Sequence, residues 1–133
     1  MTIDPRFESI LQASDSSSVV LAPPGNSYEV HLEVESPLTG AGLGDRISGT
    51  AHAHALRVHR ATGGGAFIEP VVGQPRIVAG RVLSNDGAGT VLVRSAIPIL
   101  VNVDDEADRA ACVPGEFVNF HVESGARFQQ ASS

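Results

Sequence analysis

"RISGTAHAHALRVHRA", residues 46–61, is the stretch that decides the fold. Apolar and polar side chains alternate along it, which is the two-residue period of a β-strand with one buried face. The apolar row contains Ala51, Ala53 and Ala55, and it continues at the opposite parity with Leu56 and Val58. A change of parity inside one strand is typical of a β-bulge or a sharp bend. The stretch therefore predicts a long, bent strand that packs small residues inward.

The same period recurs on both sides of this stretch, which predicts a mainly β chain. "NDGAG", residues 85–89, is a tight-turn signature, so it predicts a hairpin between its two flanking strands. The predicted strands other than 46–61 include "YEVHLEVES" (28–36), "AFIEPVV" (66–72), "RIVAGRVLS" (76–84), "TVLVRSA" (90–96), "IPILVNV" (97–103) and "FVNFHVES" (117–124).

Two segments favour short helices. In "PRFESILQ", residues 5–12, Asp4-Pro5 offers a helix start, and Phe7, Ile10 and Leu11 would share one face. "DDEADRAA", residues 104–111, is acidic at its start, as the helix dipole favours. These elements predict a small Greek-key β-barrel with a short N-terminal helix and a short helix before the last strand. The arrangement resembles the oligonucleotide/oligosaccharide-binding (OB) fold in architecture.

Length and composition predict one domain. We place an N-terminal helix and polar linker at 1–18, a single β-barrel domain at 19–126 and a polar tail at 127–133. One cysteine, Cys112, rules out an internal disulfide and favours a reducing compartment. The sequence also lacks an apolar run of about 20 residues and a secretory signal pattern. It therefore predicts a cytoplasmic protein with no membrane association.

Three histidines form a metal-site hypothesis. His52 and His54 lie two residues apart on the predicted strand, so they point to the same face about 7 Å apart. His121, on a later strand, is a candidate third ligand. This His-x-His pair resembles that of the cupin family, which implies a metal-dependent barrel enzyme. The position of the cupin glutamate falls here near Val58 and His59, so the likeness covers the two histidines alone. The alternative is that both histidines lie on the solvent face.

Arginines form a second candidate site. Residues 45–94 carry six arginines against three acids, although the whole chain has a net charge of −6. Arg57, Arg60, Arg76 and Arg81 would form a basic patch for an anionic ligand if the strands place them on one surface. The alternative is pairing between strands with acidic side chains, for which the sequence offers Glu29, Glu33 and Glu35.

Nucleic-acid binding is a third alternative, and two observations argue against it. The central segment offers one aromatic platform, Phe67, and the sequence pI is about 5.2. The stretch "TVLVRSAIPILVNV", residues 90–103, is so apolar that an uncovered face would favour self-association. We therefore predict a non-catalytic binding or self-assembly module with a protein partner or a second copy, and no cofactor.

Overall fold

The computed structural model describes residues 4–60 and 65–131, with Arg60 described by its backbone alone. These residues form a mainly β structure. The strands are β1 (Phe7–Ser14), β2 (Ser18–Ala22), β3 (Glu29–Glu33), β4 (Arg46–Arg60), β5 (Phe67–Glu69), β6 (Val72–Gly73), β7 (Ile77–Asn85), β8 (Thr90–Arg94), β9 (Pro98–Asn102), β10 (Phe117–Val122) and β11 (Arg127–Gln130). The helix α1 (Glu106–Ala111) lies between β9 and β10.

One large mixed sheet contains these strands, and five of them form a ring. The ring runs from β4 through β10, β7, β8 and β9, and a parallel pairing of β9 with β4 closes it. The strand β4 is long enough to pair with two strands along each edge. Along one edge it pairs with β1 and then β9, and along the other with β11 and β10. The strand β4 thus holds the sheet together.

The parity change in β4 is a β-bulge, as the sequence predicts. His121 of β10 lies opposite Arg57 and Val122 lies opposite Ala55, so Leu56 is the extra residue. Before the bulge, Ala51 is buried within the core. Leu56 itself is 64% exposed, so it does not continue the apolar row. The bulge turns the second half of β4 toward a different part of the surface.

The predicted N-terminal helix is wrong, because residues 7–14 form β1. Phe7, Ser9 and Leu11 point inward with a two-residue period. The strand pairs with β2 on one side and with β4 on the other. A helix of eight residues is marginal in water, whereas two strand neighbours satisfy the backbone groups of this segment. Tertiary pairing therefore overrides the local helical pattern.

The C-terminal segment also joins the sheet. Residues 127–130, predicted as part of a polar tail, form β11, while Ser132 and Ser133 lie outside the described residues. Phe128 is buried, and its ring packs edge to face against Phe7 at 5.9 Å between centroids. One apolar residue in "RFQQ" is too weak a pattern to reveal this strand from sequence.

The acidic segment at 104–111 contains α1, whose N-cap Asp105 accepts a hydrogen bond from the backbone N–H of Ala107. Two strands follow α1, so it does not directly precede the last strand. No helix in the described ranges is long and apolar enough to span a membrane.

The apolar stretch at 90–103 is covered within one chain. Val91, Leu92 and Val93 of β8 are at most 3% exposed, and Ile99 and Val101 of β9 are equally buried. Because both faces of β8 are packed, a second copy is not needed to shield it. Self-association therefore gains no support from this stretch and stays a prediction.

Candidate functional site

The most distinctive polar surface is the outer face where β10 lies between β4 and β7. Val118 and Phe120 of β10 are buried, so the alternate residues of the strand point outward. We call this surface the Arg–His face. It is formed by Arg57 and His59 of β4, Phe117, Asn119 and His121 of β10, Arg81 of β7 and Arg94 of β8.

Strand register sets the order of side chains on this face. His121 lies opposite Arg57 on one side and opposite Ile77 on the other. Asn119, two residues before His121 in β10, lies opposite His59. The next outward residue is Phe117, and it lies opposite Arg81. The pairing therefore brings imidazole and phenyl rings onto the same surface as the guanidinium groups.

Arg81 is the most crowded cation of the face. Its guanidinium carbon lies 5.2 Å from the centroid of the Phe117 ring, a cation–π contact. On its other side Arg81 lies directly opposite Arg94 in the β7–β8 pairing. Like charges in directly opposed positions destabilise a strand pair. The fold therefore tolerates an electrostatic cost at this point.

The two histidines of the face are in contact. The rings of His59 and His121 meet edge to face, with 5.7 Å between their centroids. Both side chains are exposed. The two imidazole rings are therefore neighbours on the face, with His121 directly opposite Arg57.

No carboxylate among the described residues is paired with an arginine of this face or with the nearby Arg76. Within residues 4–60 and 65–131, Arg57, Arg76, Arg81 and Arg94 form no ion pair with a carboxylate. Three arginines elsewhere do form one, since Arg6 pairs with Asp4 at 2.9 Å, Arg46 with Glu8 at 3.2 Å and Arg127 with Glu35 at 2.9 Å. Among the outward residues of β5, β7 and β10 that the structure describes, Glu69 is the one carboxylate, at the edge of the face.

The predicted pairing of the central arginines with Glu29, Glu33 and Glu35 does not occur among the described side chains. The reason is topological, because β3 pairs with β2, β6 and β11 and so lies away from β7 and β10. Glu35 pairs instead with Arg127, which follows the last turn of the chain.

The four predicted arginines are placed as follows. Arg57 and Arg81 lie on the Arg–His face, and Arg76 is exposed immediately before β7, where its carbonyl accepts from the N–H of Val122. The side chain of Arg60 lies outside the described residues. Arg94 belongs to the same basic segment of the sequence, but the sequence does not place His59 and Phe117 beside these arginines, because their position depends on which strands become neighbours.

The histidines of the metal hypothesis make other contacts. The two ring nitrogens of His54 bind carboxylates, with Nδ1 2.8 Å from Glu123 Oε2 and Nε2 2.6 Å from Asp104 Oδ2. The Nε2 atom of His52 lies 2.8 Å from Thr50 Oγ1, and His121 contacts His59. In the described part of the chain, no three His, Cys, Asp or Glu side chains are grouped to hold a metal ion.

His52 and His54 have opposite electrostatic surroundings. Hydrogen bonds that His54 donates to Glu123 and, next in size, to Asp104 raise the pKa of His54 above its ordinary value of 6.5. Burial, with a smaller effect from Arg127, lowers the pKa of His52 below that value. His54 therefore joins the loops that follow β9 and β10, whereas His52 is half-buried beside Thr50.

A concave site lies apart from the Arg–His face. A cavity of about 360 Å³ lies between the 34–39 loop and β11, with His52 and Arg127 in its wall. Its one arginine is already paired with Glu35, which also lines the cavity. This cavity has less unsatisfied charge to offer a ligand than the Arg–His face has.

Comparisons of the chain with protein-family models, with curated proteins and with solved structures gave no match. A proposal about function must therefore come from the geometry of the described residues.

Proposed function

We propose that this chain is a non-catalytic binding module that holds an anionic partner on the Arg–His face. The observation that carries the proposal is the direct opposition of Arg81 and Arg94 with no carboxylate paired to either in the described ranges. An anion placed between the two guanidinium groups would relieve their repulsion. In the unbound chain, no described carboxylate relieves this repulsion. The arrangement therefore favours binding of an anion.

The chemistry of the face suits anions in particular. Guanidinium groups bind carboxylate or phosphate oxygens through two parallel hydrogen bonds. Arg57 and Arg94 supply such groups from opposite sides of β10 and β7. The face lies on paired strands of the ring, so the backbone positions that carry its side chains are already fixed. No loop has to become ordered for an anion to bind.

The proposal also includes the detailed barrel topology and the kind of partner. We extend the ring of five strands to the OB-like Greek-key barrel that the sequence predicts, with the Arg–His face on its outside. A protein with an acidic surface and a second copy of this acidic chain are both anionic partners that the proposal admits. The cytoplasmic location stays a prediction, and we propose no catalytic step because the three histidines bind other side chains.

Charge reversal with a matched control tests the proposal. The double variant Arg57→Glu and Arg94→Glu changes the face, whereas Arg6→Glu and Arg46→Glu changes net charge equally at arginines that are ion-paired elsewhere. The probes are sodium polyphosphate and polyglutamate, titrated by calorimetry at low salt. We expect the face variant to lose binding by at least about tenfold, because hydrogen bonds to charged groups contribute roughly 1.5–3 kcal/mol each.

The control variant should bind within about twofold of the parent chain, because exposed ion pairs contribute little to the fold. Equal loss in both double variants would show that net charge, and not the face, governs binding. Failure of the parent chain to bind any polyanion would overturn the proposal.

A further inference from the structure

The Arg–His face contains more flat rings than an anion alone requires. Phe117 is half-buried beneath the guanidinium of Arg81, and His59 and His121 are exposed beside it. A partner that offered carboxylates alone would be bound by Arg57, Arg81 and Arg94 without any ring. The combination of rings and arginines points to a partner that alternates charged groups with flat groups.

We infer that the anionic partner is a single-stranded nucleic acid, whose phosphates bind the arginines and whose bases stack on the rings. This inference rests on the proposed function and names the class of its ligand. Aromatic side chains beside positive charge are what bind unpaired bases without regard to sequence, because every base has a flat face. In a duplex those faces are stacked on one another and out of reach.

The layout of the face fits an extended strand of nucleotides. Neighbouring strands lie about 4.8 Å apart, and alternate residues along a strand lie about 7 Å apart. Arg57 and Arg94 lie on the two outermost of four successive strands, with His121 and Phe117 of β10 between them. A chain crossing the face would meet a cation, then rings, then a cluster of two cations.

The structure weakens one of the two sequence observations against nucleic-acid binding. In the sequence, Phe67 is the one aromatic platform of the central segment. Pairing of β10 with both β4 and β7 adds Phe117 and His121 to the same surface as the central arginines. The net charge of −6 still weakens long-range attraction, so we expect contact-dependent binding that falls as salt rises.

The first test separates base stacking from charge. A fluorescent deoxythymidine oligonucleotide about 12 nucleotides long, within the site sizes of single β-barrel modules, is titrated with the full chain by anisotropy. The variant Phe117→Leu removes a ring and no charge, and we expect it to weaken oligonucleotide binding by about tenfold. Polyphosphate binding by the same variant should stay within about twofold.

A second ring variant protects the test against a folding defect. His59 is exposed, so His59→Ala should leave the thermal unfolding midpoint unchanged and still weaken oligonucleotide binding. His31→Ala, on β3, removes a half-buried ring outside the face and should leave binding unchanged.

The outcomes distinguish the inference from the proposed function. If polyphosphate or polyglutamate binds as tightly as the oligonucleotide, or if both ring variants leave its binding unchanged, the nucleic-acid inference is wrong and the anion-binding proposal stands. If polyglutamate binds more tightly than the oligonucleotide, the partner is an acidic protein. If no polyanion binds, both proposals fail.

Discussion

The two halves of β4 present the same kinds of side chain in opposite states. On the outer face of the first half, Arg46 pairs with Glu8, and His54 lies between Asp104 and Glu123. On the outer face of the second half, the ring of His59 meets that of His121 and Arg57 lies opposite His121, with no ion pair to Arg57 among the described residues. The Leu56 bulge separates the two regions.

The comparison shows that local charge counts do not identify a binding surface. Both halves contain arginine and histidine, and the difference lies in which strands are their neighbours. The first half lies beside β1, which carries Glu8, and close to Asp104 and Glu123 in the loops that follow β9 and β10. The second half lies beside β10, whose His121 contacts the ring of His59. Charges balanced within the chain stabilise local structure, whereas unbalanced ones are available to a partner.

The largest predicted effect tests whether Phe120 and His121 of β10 point to opposite sides of the sheet, one into the core and the other onto the Arg–His face. Phe120 is fully buried and packs inward, so Phe120→Ala should lower the free energy of unfolding by about 3–5 kcal/mol. His121 is the next residue and points outward, so His121→Ala should cost no more than about 0.5 kcal/mol. Urea unfolding measures both. Equal costs would contradict the assigned orientation of β10.

A smaller effect comes from two glycines, one near each region. A Cβ at Gly80 would meet the backbone carbonyl of Arg94, and a Cβ at Gly49 would meet Gln129 and the Phe128 ring. Each change to Ala should cost about 1–3 kcal/mol, the usual range for overpacking. Gly42→Ala is the control, since its Cβ would lie 3.6 Å from Asp45 Oδ2, an ordinary contact.

The two glycine variants should also differ in how they affect polyanion binding. Gly80→Ala should weaken polyanion binding because it displaces β8 and with it Arg94, whereas Gly49→Ala should leave binding unchanged at similar stability. Calorimetric titration at a temperature where both variants are folded decides this. Parallel losses of binding in the two variants would mean that the face does not depend on the β7–β8 pairing.

The smallest effect is a pH dependence within the first half of β4. The raised pKa of His54 stabilises the folded state below pH 6.5, and this contribution is lost as pH rises through the raised value. The lowered pKa of His52 has the opposite sign, since its contribution is present above pH 6.5 and lost as pH falls through the lowered value. NMR titration of the imidazole protons should show the two midpoints on opposite sides of 6.5.

The stability change itself should be small, because the partners of His54 are exposed. The variant His54→Gln should abolish the stability lost with rising pH and leave the His52 midpoint in place. Identical midpoints for the two histidines would contradict the difference in their surroundings.

Much of the fold is readable from alternation alone. The parity change at Leu56 predicts the bulge, and the "NDGAG" turn predicts the pairing of β7 with β8, which the structure confirms. Alternation fails where two periods fit the same residues. Phe7 and Leu11 suit one face of a helix and one face of a strand, and only the neighbours β2 and β4 decide between them.

The site was less predictable than the fold. Arg57 and Arg81 are visible in the sequence as part of a basic segment, and they do reach one surface. Phe117 and His121 come from a strand about 60 residues further along than Arg57. Their insertion between β4 and β7 is a long-range pairing, for which local patterns carry no signal.

NMR detection of arginine side-chain Nε–Hε signals during titration with the thymidine oligonucleotide tests the central claim most directly. The account predicts that the signals of Arg57, Arg81 and Arg94 shift together and saturate, while those of the ion-paired Arg46 and Arg127 stay in place. Shifts confined to Arg46 and Arg127, or of equal size at all five arginines, would contradict it.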